Sequence, residues 1–349
     1  MVASDFDFPG NPQLTTNDDV CSGYYFPMDY RTLRHTDLRV SRLCFGTMTL
    51  GKPLDQAGTN EVILRCLDAG INFFDTANMY NAGVAETQLG TALKGHRNKV
   101  VLASKVFFKT GDAPDQHGLS RKAILRAIDE SLARLQTDYL DLYYVHAPDH
   151  TVPIEESLEA MESLVQQGKV RYPASSNYAG WEVVEMLWLC EKRGWHAPYV
   201  SQPMYNLVAR GIEQEYLAMC KVFGVSTVVY NPLAGGLLTG KHNQAVFTPG
   251  TRFDSNKLYQ DRYWHTQDFH AVESLRAIAQ FAGRSLISLS LNWLLHHTVS
   301  DVVILGASSL SQLNQNLAEA GEGPLPEEVV QACDAVWRDL RGPLPVYNR

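Results

Sequence analysis

Apolar and polar positions along this chain follow two alternating periods. Eight short apolar runs read as buried strands: Leu43–Phe45, Ile71–Phe74, Val100–Ser104, Leu140–Val145, Val170–Ala174, Tyr199–Gln202, Ser226–Tyr230 and Val302–Leu305. Between them apolar residues recur at helical spacing. In Ser120–Leu135 the side chains of Ile124, Ile128, Leu132 and Leu135 share one face, and Ser120 stands where an N-cap belongs. Ile154–Gln167 repeats the pattern with Leu158, Met161 and Val165; Trp181–Arg193 and Glu213–Phe223 are further helices. Helical segments end at Gly70, Gly168, Gly194 and Gly224, each just before a strand. Glycine adopts the left-handed conformation that stops a helix without a Cβ clash.

These junctions predict short helix-to-strand loops. The strand-to-helix connections are long, above all 46–59, 105–119 and 233–270. Eight such units with short loops below and long loops above predict an α/β chain folded as a (β/α)₈ TIM barrel, with extra helices and loops at its C-terminal face. A doubly wound sheet would carry a G-x-G-x-x-G turn after an early strand, and the chain has none. Tyr30–Leu33 and Leu38–Val40 flank the polar His35-Thr36-Asp37 and predict a small hairpin ahead of the barrel. Residues 1–29 are rich in Pro, Asn and Asp and read as an N-terminal extension. Residues 30–349 read as one barrel domain.

Composition narrows the partners. The 349 residues are 45% hydrophobic and carry a net charge of −8 without a Lys/Arg block. That excludes nucleic acid and an anionic membrane as main partners. The N-terminus has no signal-peptide pattern, and no run of 18 apolar residues occurs, so a cytoplasmic protein is expected. The six cysteines include no C-x-x-C pair and read as reduced thiols. His146 and His150 are four apart, but Pro148 between them argues against a shared helical face, and no metal is expected.

The candidate chemistry lies at strand ends. In a barrel these ends converge on one mouth. The second run ends at Asp75, with Tyr80 just beyond; the third ends at Lys105 and the fourth at His146. A phenol is a poor acid at neutral pH, and a neighbouring ammonium lowers its pKa. A buried lysine needs an anion, which Asp75 supplies. The imidazole can orient a substrate oxygen. Together they form a proton donor aimed at a carbonyl oxygen.

Asp75-Thr76-Ala77-Asn78-Met79-Tyr80, Ser104-Lys105 and His146-Ala147-Pro148-Asp149 resemble the aldo-keto reductase superfamily, with order and spacing in agreement from about residue 30 to 320. The subgroup is similar to aryl-alcohol dehydrogenases, aflatoxin-aldehyde reductases and potassium-channel β subunits. The resemblance implies an NADP(H)-dependent oxidoreductase acting on a small aldehyde or ketone and its alcohol, with homo-oligomerisation left open. It makes Tyr80 the general acid, assisted by Asp75, Lys105 and His146. It assigns Gly46, Thr47, Met48 and Asp75 to the cofactor, and Ser176, Asn177 and Gln202 to the nicotinamide carboxamide. Tyr230 would stack on the nicotinamide ring. Asn231, Pro232, Leu233, Gly235 and Lys241 would pass the pyrophosphate. Gly306, Ser308, Gln312, Gln315 and Asn316 would hold the adenosine end, and Arg252 the 2′-phosphate.

Two positions depart from the pattern. Pro173 sits in a strand with no free edge and is expected to distort the segment leading to Ser176 and Asn177. Gln315 stands where many relatives carry a glutamate. Substrate walls are expected from 49–53, 107–111, 149–151, 239–265 and 343–349, whose Phe107, Phe108, Tyr259, Tyr263 and Trp264 would favour an apolar or sugar-like carbonyl compound or else pack on the rim. Two other readings keep the same residues: an NADP(H)-sensing regulatory subunit with little turnover, and a Schiff-base aldolase using Lys105.

Overall fold

A computed structural model describes residues 28–254 and 256–343; the expectations for the extension up to residue 27 and for the tail beyond 343 lie outside the described residues. Eight parallel strands close into a barrel. They are β3 (Leu43–Gly46), β4 (Phe73–Asp75), β5 (Val101–Val106), β6 (Leu140–Val145), β7 (Val170–Ser176), β8 (Val200–Gln202), β9 (Ser226–Val229) and β10 (Val302–Leu305), and β10 pairs with β3. The two short strands before them, β1 (Tyr30–Thr32) and β2 (Arg39–Ser41), form the expected antiparallel hairpin. Leu33, Leu38 and Val40 from it pack with the interior residues Cys44, Phe73 and Val302, so the hairpin plugs one end of the barrel.

The helices are α1 (Gln56–Asp68), α2 (Val84–Ala92), α3 (Arg121–Leu135), α4 (Ile154–Gln166), α5 (Gly180–Arg193), α6 (Tyr216–Phe223), α7 (Lys257–Tyr263), α8 (Thr266–Phe281), α9 (Leu286–His296), α10 (Leu310–Ala320) and α11 (Glu327–Arg341). Ser120 caps α3 by accepting from the Ala123 amide. Gly194 and Gly224 close α5 and α6 at φ 68° and 70°, as the helix–glycine–strand pattern requires. Helix α6 is shorter than its apolar pattern, because Gly211–Glu213 forms a separate turn of 3₁₀ helix. The long connection after β9 carries α7 and α8, and α11 packs on α8.

Pro173 does not distort β7. It stands opposite Tyr143 in an unbroken register, and the strand continues to Ser176, which pairs with Gln202. Its neighbour Ala174 faces the barrel interior, so the proline ring is on the outer face. Among the described residues no helix is long and apolar enough to cross a membrane. Cys44, Cys66, Cys190, Cys220 and Cys333 are buried free thiols.

Candidate active site

Side chains two apart on a strand share a face. Cys44, Phe73, Ala103, Tyr144, Ala174, Val200, Val228 and Ile304 belong to one cluster inside the barrel. Two residues further along each strand come Gly46, Asp75, Lys105, His146, Ser176, Gln202, Tyr230 and Gly306. Strand periodicity alone therefore gathers these expected site residues into one ring at the barrel mouth.

Lys105 organises the ring. Its Nζ donates to Asp75 Oδ2 at 2.5 Å, to the Thr76 carbonyl at 2.7 Å and to the Tyr80 hydroxyl at 3.3 Å. Both charges are almost wholly enclosed, with Lys105 0% and Asp75 2% exposed. Burial works to lower the Lys105 pKa, but the Asp75 carboxylate and its hydrogen bonds overrule it and hold the ammonium above its ordinary value. Gln202 Nε2 donates to Asp75 Oδ1 at 2.9 Å, and the Thr47 amide and hydroxyl both reach the Asp75 carbonyl at 3.0 Å. The carboxylate is thus gripped on both oxygens.

The Tyr80 phenol lies above its ordinary pKa, not below it as the sequence leads one to expect. Burial raises it, and the Lys105 charge pulls it back only in part, because Asp75 has already compensated that charge. The hydroxyl is thus firmly protonated at neutral pH. His146, beside the Tyr80 ring at 6.1 Å between centroids, is held well below the usual imidazole value by burial and by Lys105. Its neutral ring offers one N–H donor. Its Nδ1 is buried without a partner.

Supports that the strand pattern does not reveal fix Tyr80. The chain turns left-handed at Asn81 and Ala82, φ 48° and 54°, then at Gly83, φ 87°. Asn81 Nδ2 secures the turn by donating to the Leu50 carbonyl at 2.5 Å and the Met48 carbonyl at 3.2 Å. Arg134 from α3 packs on Gly83, where an added Cβ would meet its Cδ at 2.9 Å. The same Arg134 donates to the fully buried Glu86 at 2.7 Å, and Glu86 accepts from Ser104, the neighbour of Lys105, at 2.5 Å. One buried carboxylate therefore braces the Tyr80 turn and the Lys105 strand together.

At the end of β7, Asn177 adopts φ 64°. Its Nδ2 donates to the His146 carbonyl at 2.8 Å and its Oδ1 accepts from the Tyr230 hydroxyl at 2.7 Å. Ser176 Oγ donates to the Gln202 carbonyl at 2.9 Å. Asn231, φ 65°, is held by Asn206, which donates to its carbonyl at 3.0 Å, and by Tyr263. Pro232 and Leu233 follow it in the same loop.

A second cluster forms where β10 ends beside β3. A Cβ on Gly306 would stand 3.8 Å from both Arg252 Nη2 and the Gly46 carbonyl, so a residue from the long loop is brought to the barrel rim. Arg252 Nη1 donates to the Tyr259 hydroxyl at 2.8 Å, and Tyr259 packs under Gly235. Gln312 in the first turn of α10 accepts from the Ser308 amide at 2.6 Å and hydroxyl at 2.9 Å. Asn316 is 1% exposed, with Oδ1 buried and unpartnered. Gln315 faces outward and donates to Glu319 at 2.8 Å, and Lys241 is exposed. A guanidinium at the rim and an unused buried amide oxygen suit a phosphorylated nucleoside, although the start of α10 is already capped by Ser309, which accepts from the Gln312 amide at 3.1 Å.

Phe108 leans edge-on against His146 with centroids 4.9 Å apart, and Phe107 backs it at 5.0 Å. Asp149 ties this loop to the next by accepting from the Leu119 amide at 2.8 Å. Tyr259 and Tyr263 are turned into the protein, so of the expected wall aromatics these two pack on the rim.

Residues 42–338 match the model of the Aldo/keto reductase family. Aflatoxin B1 aldehyde reductase member 2 of Rattus norvegicus is 38% identical over 322 residues, covering 87% of this chain and 86% of that protein. Aldo-keto reductase family 7 member A3 of Homo sapiens is 37% identical, covering 87% and 96%. A probable voltage-gated potassium channel subunit beta of Oryza sativa subsp. japonica is 34% identical, covering 88% and 96%.

Proposed function

The chain belongs to the aldo/keto reductase family, and from that premise we propose that it interconverts a small aldehyde or ketone and its alcohol with NADP(H). The observation that carries the reading is Lys105 Nζ, which touches Asp75 and the Tyr80 hydroxyl at once. The nucleotide, when bound, supplies or accepts the hydride. The protein's own groups handle the proton and the oxygen. Tyr80 donates from its hydroxyl to the carbonyl oxygen, and the ammonium of Lys105, held by Asp75, stabilises the phenolate left behind. Neutral His146 donates a hydrogen bond that orients the same oxygen.

Ser176, Asn177 and Gln202 suit the carboxamide, Tyr230 the nicotinamide face, and Gly46, Thr47 and Met48 the adjoining rim. Asn231 to Gly235 and Lys241 suit the pyrophosphate. Gly306, Ser308, Gln312, Gln315 and Asn316 suit the adenosine, and Arg252 a 2′-phosphate. The buried free thiols accord with a reducing, cytoplasmic setting.

Tyr80→Phe tests the reading. Carbonyl reduction should fall by about 10²- to 10⁴-fold while NADPH affinity is kept. Normal turnover by the variant would remove Tyr80 from the acid role. The likeness to a channel β subunit keeps a nucleotide-sensing role as the second reading. Negligible NADPH oxidation by the wild type across a panel of aldehydes and ketones would favour it.

A further inference from the structure

The short helix α7 carries two buried tyrosines one turn apart. Asn256 caps the helix by accepting from the Tyr259 amide, and Tyr259 and Tyr263 both turn inward. Residues at this spacing share a helix face. That face meets the loop after β9 at two points, Asn231 through Tyr263 and Gly235 through Tyr259.

Tyr263 joins two loops through its hydroxyl. It donates to Met204 Sδ at 2.9 Å and accepts from Asn206 Nδ2 at 3.1 Å and Asn231 Nδ2 at 3.3 Å. The phenol thus uses its hydrogen-bonding capacity in full. Tyr259 works through ring and hydroxyl together. Its ring lies so close to Gly235 that an added Cβ would stand 2.7 Å from Cδ1. Its hydroxyl accepts from Arg252 Nη1 at 2.8 Å.

The gripped loop is one that local preference would not hold. Asn231, Ala234, Gly235 and Gly236 have φ of 65°, 48°, 69° and 106°. An alanine in the left-handed region is strained, and such backbone persists where its surroundings over-determine it. Turns of this kind can gather successive amides toward an anion. We propose that Tyr259 and Tyr263 are positioning residues for the nucleotide, which preset the 231–236 loop and Arg252 to receive its phosphates. The inference rests on the NADP(H) reading of the site. It adds the two hydroxyls that set how tightly the nucleotide binds and how NADPH is told from NADH.

Phenylalanine at either position removes one oxygen and keeps the ring. With its loop in the receptive form only about a tenth of the time, Tyr263→Phe should bind NADPH and NADH about tenfold more weakly alike. Tyr259→Phe releases Arg252, so it should lose about tenfold for NADPH and leave NADH unchanged. In an Arg252→Ala background Tyr259→Phe should add nothing, whereas Tyr263→Phe should add its full loss. Fluorescence titration with each nucleotide reads these shifts. In turnover the loss should appear in the KM for NADPH and not in kcat, and the alkaline limb set by Tyr80 should not move. Tyr259→Phe gives up a bond at the rim and should melt with the wild type, so the test does not depend on Tyr263→Phe folding well.

A Tyr263→Phe chain that melts earlier yet binds both nucleotides normally would make that hydroxyl a packing contact and overturn the proposal. Tyr259→Phe that weakens both nucleotides equally, or that still costs NADPH affinity without Arg252, would overturn it too. Arg252→Ala with no effect on NADPH would be a different failure: it would remove the 2′-phosphate assignment itself, and the proposal with it.

Discussion

Gln202 Nε2 donates to Asp75 Oδ1 at 2.9 Å, across the barrel mouth from the Lys105 ammonium on Oδ2. The amide expected to hold a nicotinamide carboxamide also steadies the anion behind the acid. Gln202→Leu keeps the volume and removes the donor. An oxygen of a carboxylate that is 2% exposed then loses its partner, at a cost of about 1–3 kcal/mol. The variant should melt earlier and turn over more slowly; an unchanged melting temperature would mean that the bond carries no weight.

The pH profile of reduction follows from two displaced groups. Tyr80, above 10.0 chiefly through burial, stays protonated as pH rises through the neutral range, so the rate should hold and fall only on the far alkaline side. His146 sits well below 6.5 through burial and Lys105, so no limb should occur near the ordinary imidazole value. Lys105→Met removes the charge that pulls the Tyr80 pKa down. It should move the alkaline limb higher while cutting the rate. A limb near 6.5 that disappears in His146→Gln would show a protonating imidazole instead.

His242 is a buried weakness away from the chemistry. Its ring packs against Phe253 at 4.9 Å and Trp264 at 5.8 Å, and both ring nitrogens are buried without partners. Burial and the adjoining Lys241 bring its pKa down to about 4. The unfolded chain takes up this proton near the ordinary value of 6.5 and the folded one resists it, so the wild type loses stability as pH falls from 6.5 toward 4. His242→Phe removes that penalty. Urea unfolding should show a gain of about 1 kcal/mol at neutral pH, and a larger one at acid pH.

Arg252 makes the nucleotide preference testable. It reaches the rim beside Gly306 and is oriented by the Tyr259 hydroxyl. If it meets a 2′-phosphate, Arg252→Ala should weaken NADPH binding by about tenfold or more and leave NADH binding unchanged. Equal loss for both nucleotides would assign it to the pyrophosphate or to loop packing.

The barrel was legible because strand runs and helix–glycine junctions are local signals. The ring of site residues was legible for a related reason: Asp75, Lys105, His146 and Gln202 each end a strand whose interior face repeats every second residue. What escaped is non-local. Nothing near Glu86 announces that it joins Arg134 on one helix to Ser104 on a strand. The left-handed Asn81 and Ala82 were hidden because their support comes from the Met48 and Leu50 carbonyls, more than thirty residues earlier. Pro173 misled because local rules penalise it, whereas closure pairs the strand through its neighbours on both sides. The Tyr80 pKa misled because the Lys105 charge was counted without the burial that outweighs it, and burial depends on the packed fold.

Carbonyl compounds condense readily with free amines. A lysine at the mouth of a pocket built for them would be steadily consumed. Lys105 is 0% exposed, screened by Tyr80 and saturated by Asp75 and the Thr76 carbonyl. Its pKa is raised, so almost none of it is the neutral nucleophile that condensation needs. Under the proposed function, the burial that keeps Tyr80 protonated would also shield Lys105 from carbonyl substrates, and it disfavours the Schiff-base alternative on the same scaffold.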